Sequence, residues 1–263
     1  MKKRSFVASA LAAVLTVGVV AAPAVAGSGS TSDSDGDRSA TMTVTTPKYV
    51  TIQRDGYTKI PVTATLSFPD GGRFTGWWAG DAGWATAESI NGPWQYTYAD
   101  FTNTVAKTKK VTLTFRKYDH LVPQRLAVGA QLAPEVSGSW LYPSKDHLTT
   151  VYLRNKRTVV GENAYRKAGS RAYVRIRGTV KENVWTSSWS DTGTWKGKKG
   201  VRVTIRFNPT GPKTWRTVKH VTTGAGGKVA TRVKSSKAGT YQIVVPATTR
   251  TTGASGKDGV SAR

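Results

Sequence analysis

Over residues 200–245, apolar side chains recur at every second position through successive short runs, and a chain with that pattern is committed to sheet. Val201, Val203, Ile205 and Phe207 alternate with Arg202, Thr204, Arg206 and Asn208, the period of a strand with one buried and one wet face. Asn208-Pro-Thr-Gly-Pro supplies turn chemistry, a second run covers 215–221, and Gly224-Ala-Gly-Gly227 turns the chain again. Val229, Thr231 and Val233 then alternate with Lys228, Ala230 and Arg232, and Tyr241, Ile243 and Val245 close the set. Four consecutive antiparallel strands are expected, apolar inside and cationic outside.

Lys237-Ala-Gly-Thr-Tyr241 puts a Tyr shortly after a Gly at the start of the last run. It resembles the tyrosine corner of immunoglobulin-like sandwiches, with Lys237 where antibody-type domains carry Asp. The wider pattern over 157–263 is a strand, Trp-Arg-Thr-Val-Lys, a Gly-rich turn and Lys-Ala-Gly-Thr-Tyr. It resembles the C-terminal sandwich repeats of secreted actinobacterial proteins. That resemblance implies an immunoglobulin-like fold and no single function, since such relatives carry varied labels, calcium binding among them.

Met1-Lys-Lys-Arg4 is a basic start, followed by an apolar run over 6–22 and the small-x-small pattern Ala24-Val25-Ala26. A signal peptide over 1–26, cleaved after Ala26, is expected, with a secreted, extracellular or wall-associated product. No Cys occurs, so neither disulfides nor a lipidated Cys is available. No second hydrophobic segment follows, so no integral membrane association is expected after cleavage. Residues 27–39 read as an acidic Gly/Ser linker. Asp33, Asp35 and Asp37 have the alternate spacing of a calcium loop, but Arg38 and Val44 occupy the positions that need Gly and Glu. No metal is expected.

Further strands are expected over 42–45, 49–53, 60–68, 109–116, 126–132, 148–153 and 172–180, with Pro47 and Pro61 marking edges or strand starts. No helical period appears beyond the signal peptide. The fold expected is all-β: two immunoglobulin-like antiparallel β-sandwich domains in tandem, a Trp-rich one over 40–154 and a basic one over 155–263. Two aromatic clusters stand out. Trp77, Trp78 and Trp84 precede Trp94, Tyr96 and Tyr98, while Trp185, Trp189 and Trp195 fall in a Ser/Thr/Gly stretch that reads as a long loop. Large flat rings suit both stacking on sugars and core packing, so a polysaccharide is the alternative partner.

Charge divides the chain unevenly. Residues 154–263 hold 24 basic and 4 acidic residues, a net of +20, whereas 38–153 net only +4. Arg171, Arg175 and Arg177, Arg202 and Arg206, and Lys228 and Arg232 fall on the solvent parity of their strands. Cations spaced at two residues attract polyanions with a strength that falls as salt rises. The expected partner is an anionic cell-wall polymer or another extracellular polyanion, nucleic acid included.

Catalysis finds little support. The only histidines are His120, His147 and His220, and no Gly-x-Ser-x-Gly or Ser-x-x-Lys motif occurs. Asp81, Glu88 and Asp100 lie among the Trp residues without a spacing that makes them converge. The expectation is a non-enzymatic binding protein without a cofactor.

Overall fold

The computed structural model describes residues 26–35, 38–67, 83–88, 95–99, 108–116, 119, 121–132, 143–166, 172–185, 193–211 and 214–261. Their architecture is all-β, with no α-helix among them. The expected signal peptide lies outside the described residues except for Ala26.

Two sheets enclose the first core. One runs in the order β1 (Ala26–Asp35), β2 (Arg38–Pro47), β4 (Thr58–Ser67), β7 (Thr108–Phe115). The other runs β3 (Tyr49–Thr51), β9 (Ser144–Arg154), β8 (Arg125–Leu132), β5 (Gly83–Glu88), β6 (Gln95–Ala99). All pairs are antiparallel except β3 with β9. The first sheet turns Met42, Val44, Ile60, Val62, Leu113 and Phe115 inward against Leu126, Val128, Val151 and Leu153 of the second. Burying each of these side chains stabilises by roughly 1.5–3 kcal/mol.

A second, separate core is enclosed by two more sheets. In one, β11 (Tyr173–Val184) is flanked by β10 (Arg157–Tyr165) on one side and by β12 (Thr194–Gly197) and β15 (Lys228–Lys234) on the other. The other runs β14 (Arg216–Thr222), β13 (Arg202–Pro209), β16 (Gly239–Val245), β17 (Ala254–Val260). Val174, Ile176, Val180 and Val229 meet Val203, Ile205, Phe207, Tyr241, Ile243 and Val245. Phe207 and Tyr241 pack with ring centroids 4.6 Å apart.

Three expectations need correction, and the one for Pro61 is refined. The stretch read as a linker is strand β1, paired with β2 from Ala26↔Pro47 to Asp35↔Arg38. Its glycines answer a close approach: a Cβ on Gly29 would stand 1.7 Å from the carbonyl oxygen of Leu148 on β9, which only Gly tolerates. Pro61 sits in a strand with neighbours on both sides, yet β2 pairs with β4 only over Thr63 to Ser67. Pro61 therefore lies where β4 has one partner, and its missing N–H is tolerated.

Of the four consecutive strands, β15 crosses to the facing sheet and pairs with β11. The turn before it carries Gly226 at φ 63° and Gly227 at φ 76°, and a Cβ on Gly227 would lie 2.2 Å from the Val180 carbonyl oxygen. Finally, the expected loop after β11 returns as β12, so Trp195 stands on a strand opposite Asn183.

Candidate polyanion-binding face

Inward positions of β11 are Val174, Ile176, Gly178 and Val180, so Tyr173, Arg175, Arg177 and Thr179 project outward by the two-residue period. The register places neighbours on the same face. Arg175 is flanked by Tyr165 of β10 and Arg232 of β15. One step along, Arg177 lies between Asn163 and Ala230, Thr179 faces Lys228, and Tyr173 faces Lys234. Arg175, Arg177, Lys228, Arg232 and Lys234 are all exposed, and no acidic side chain lies among these cross-strand partners.

Two rings hold guanidinium groups in place. The Arg177 guanidinium lies 5.5 Å from the Tyr165 ring centroid, and that of Arg232 lies 5.3 Å from Tyr173, which is itself 40% exposed. Contacts of this kind attract by about 0.5–1 kcal/mol at exposed sites. Arg175 and Arg232, directly opposite, repel. The face thus carries an uncompensated positive potential that an anion relieves.

The remaining expected basic residues do not join it. Arg202 and Arg206 project from β13 on the outer face of the other sheet, across the core from Arg175. There the cations are interleaved with neutral partners: Arg202 faces Thr222, and Arg206 faces Gln242 and Thr217, with its guanidinium 5.9 Å from the Trp215 ring centroid. Arg171 lies outside the described residues. Tyr165, Tyr173 and Lys234 were not among the expected binding residues. The outward parity of Tyr173 and Lys234 was visible, but the pairing of β11 with β15 was not.

The Trp residues are dispersed. Trp77, Trp78 and Trp189 lie outside the described residues. Trp84 lies on β5, in register with Tyr98 of β6 and Gln131 of β8. Trp185 is half-buried just beyond β11, and Trp195 on β12 is 39% exposed. Their hairpin packs on the first half of the chain, because a Cβ on Gly193 would stand 2.4 Å from Arg54 Cγ.

That contact belongs to a buried polar chain joining the two halves. Arg54 (4% exposed) donates from Nη1 to the Leu121 carbonyl and from Nη2 to Asn155 Oδ1 at 2.7 Å. Asn155 Nδ2 donates to Glu182 Oε1 at 3.0 Å, and Glu182 Oε2 accepts from Arg157 Nε at 3.2 Å. The Asn155 backbone bonds Arg250 and Thr252, with a bridge to Thr251. Burial pushes the Arg54 guanidinium below its usual value. Nothing in the spacing of Arg54, Asn155 and Glu182 foretold this arrangement.

Other features offer less chemistry. His147 shares a 3.0 Å hydrogen bond with Thr150, and His220 one of 3.2 Å with Thr204, both exposed. Among the described residues no cluster of three His, Cys, Asp or Glu side chains is placed to hold a metal, and no helix is long and apolar enough to cross a membrane. An open depression of about 640 Å³ is lined by Asn208, Pro209, Thr240, Val260 and neighbours, none of them titratable.

No family model matches the sequence, and no curated protein matches it. Among solved structures, the chain is similar to a DUF4785 family protein from Legionella pneumophila at 12% identity and a TM-score of 0.37, covering 78% of this chain and 53% of that one. It is also similar to a tetra-tandem repeat in the extending region of a large adhesion protein, at 12% identity and a TM-score of 0.31, covering 92% and 68% of the two chains. The D0-D1 domain of Intimin is similar at 13% identity and a TM-score of 0.24, covering 87% and 98%. This chain therefore spans about half the length of the Legionella protein, and neither fold family nor activity is carried over from any of the three.

Proposed function

We propose that the protein is an exported, non-enzymatic binding protein of a bacterial envelope, built as two immunoglobulin-like β-sandwiches in tandem. Its basic second sandwich holds an anionic polymer on the outer face of β10, β11 and β15. The observation that carries this reading is the run of exposed cations with Arg175 opposite Arg232 and no carboxylate among their cross-strand partners. Like charges directly opposite one another cost stability, and a bound polyanion offsets that cost. The N-terminal export pattern and the absence of Cys favour a location outside the membrane.

Sugar stacking is the second reading, favoured by the exposure of Trp195. The packing of its hairpin on Arg54 favours a structural role for the pair instead. The test is retention of the chain without residues 1–26 on purified cell walls, with and without their anionic polymers, across a salt titration. Release by salt and failure on stripped walls support the polyanion reading. Salt-resistant retention on stripped walls, lost in Trp195→Ala, replaces it with sugar binding.

A further inference from the structure

The outer face of β10, β11 and β15 is selective in its chemistry as well as its sign. Its central cations are arginines, Arg175, Arg177 and Arg232, with Lys228 and Lys234 at the margins. A guanidinium presents a rigid fork of N–H donors matched to oxyanions, whereas an ammonium acts as a point charge. Tyr165 and Tyr173 each carry one of these guanidinium groups on the ring, at 5.5 and 5.3 Å. The forks are thereby held before a ligand arrives, which reduces the ordering cost of binding.

Spacing extends the argument. Arg175 and Arg232 are cross-strand partners, so their backbones lie about 4.8 Å apart, while Arg177 follows Arg175 about 6.6 Å along the strand. Two forks thus rise from directly opposite positions on separate strands, within reach of one anion, with a third beyond them. The two non-bridging oxygens of a phosphodiester accept from several directions around a tetrahedral phosphorus, so two forks can reach one group; a carboxylate accepts chiefly in its own plane and is matched to a single fork.

Each of the two tyrosine rings already has an arginine against it, so the aromatic surface on which single-strand nucleic-acid binders stack successive bases is partly taken here.

We infer that this face recognises the phosphodiester groups of an extended polymer without nucleobases, Arg175 and Arg232 clasping one phosphate and Arg177 the next. The inference rests on the polyanion reading above and adds the ligand's chemical class.

The experiment measures binding of the chain without residues 1–26 to three labelled probes of equal charge: a poly(glycerol phosphate) oligomer, polyglutamate and a single-stranded oligonucleotide. One extra charge-assisted bond gives about tenfold in affinity, so a preference of at least about tenfold for poly(glycerol phosphate) over polyglutamate is expected, with the oligonucleotide no tighter. The triple variant Arg175→Lys, Arg177→Lys, Arg232→Lys keeps its charge and is expected to lose that preference while still binding polyglutamate. Arg202→Lys with Arg206→Lys, on the opposite face, is expected to keep it.

Equal binding of the two polymers by the unmodified chain overturns the phosphate assignment and leaves polyanion binding standing. Tighter binding of the oligonucleotide overturns the exclusion of bases. Failure to bind any probe defeats the polyanion reading itself.

Discussion

Arg54 and Arg157 at the junction, and Arg175 and Arg232 on the outer face, carry the same side chain into opposite surroundings. At the junction each guanidinium ends on a defined oxygen: the Leu121 carbonyl and Asn155 Oδ1 for Arg54, and Glu182 for Arg157. Arg166 is treated likewise, donating to the Ser235 and Lys237 carbonyls. On the outer face, Arg175 and Arg232 face each other and no carboxylate. A buried charge must be paired because desolvating it alone costs several kcal/mol, while an exposed charge is free to wait for a ligand. Arginines that serve the fold end on oxygens within it; those left facing each other carry the proposed binding surface.

The junction gives the largest effect. Glu182→Leu leaves Arg157 and Asn155 without their acceptor, and removing one partner of a buried pair costs about 3–5 kcal/mol. A large drop in melting temperature is expected; a melt within error of the unmodified chain would mean that the network is solvated. Next in size is the outer face, where Arg175→Thr, Arg177→Thr and Arg232→Thr together remove about 1 kcal/mol each of attraction to an anionic surface. Polyanion affinity should fall on the order of a hundredfold, while Arg202→Thr, Arg206→Thr and Lys257→Thr on the other face, where Lys257 of β17 pairs with Gln242 beside Arg206, cost far less.

A smaller effect has the opposite sign. Arg175→Thr relieves the like-charge cross-strand pair with Arg232 and leaves the Arg232 contact with Tyr173 in place, so it should raise stability by about 0.2–1 kcal/mol while weakening binding. A chemical-denaturation midpoint that falls instead would show that the pair does not repel.

Smallest is Tyr241. Burial pushes its phenol up, opposed in part by Ser235 and the Arg166 guanidinium. An acid whose folded pKa exceeds its unfolded value of about 10 loses its proton first in the unfolded chain, so stability drops as pH rises above about 10. In Tyr241→Phe that alkaline decline, followed by thermal melts, should be shallower.

Strands with an apolar parity were legible in the sequence: Val203, Ile205 and Phe207 on β13, Val174 and Ile176 on β11, and Tyr241, Ile243 and Val245 on β16 all face the core. Strands whose inward residues are small or polar were not. In β1, Gly29 faces a backbone too close for any Cβ and Gly27 faces the Thr149 hydroxyl, and their composition mimics a linker. In β17, Gly256 packs against Glu162, and Asp258 accepts from the Ala164 N–H at 2.8 Å, so the strand has no hydrophobic period to read.

The proposed binding face was half legible for a similar reason. Parity told which way Arg175 and Arg177 project, but a strand partner is chosen by tertiary packing, and β15 lies far along the chain. That choice brings Arg232 to Arg175 and leaves Arg202 and Arg206 on the far side.

The most direct test is the dependence of polyanion affinity on salt, measured for the unmodified chain and for the triple Thr variants of the two outer faces. Each cation in contact contributes about one unit to the slope of log K against log salt. The β11 and β15 variant should therefore lose about two to three units of slope, and the β13 and β17 variant should keep the slope of the unmodified chain. Equal losses from both faces, or an affinity indifferent to salt, would contradict the assignment of binding to the face where Arg175 meets Arg232.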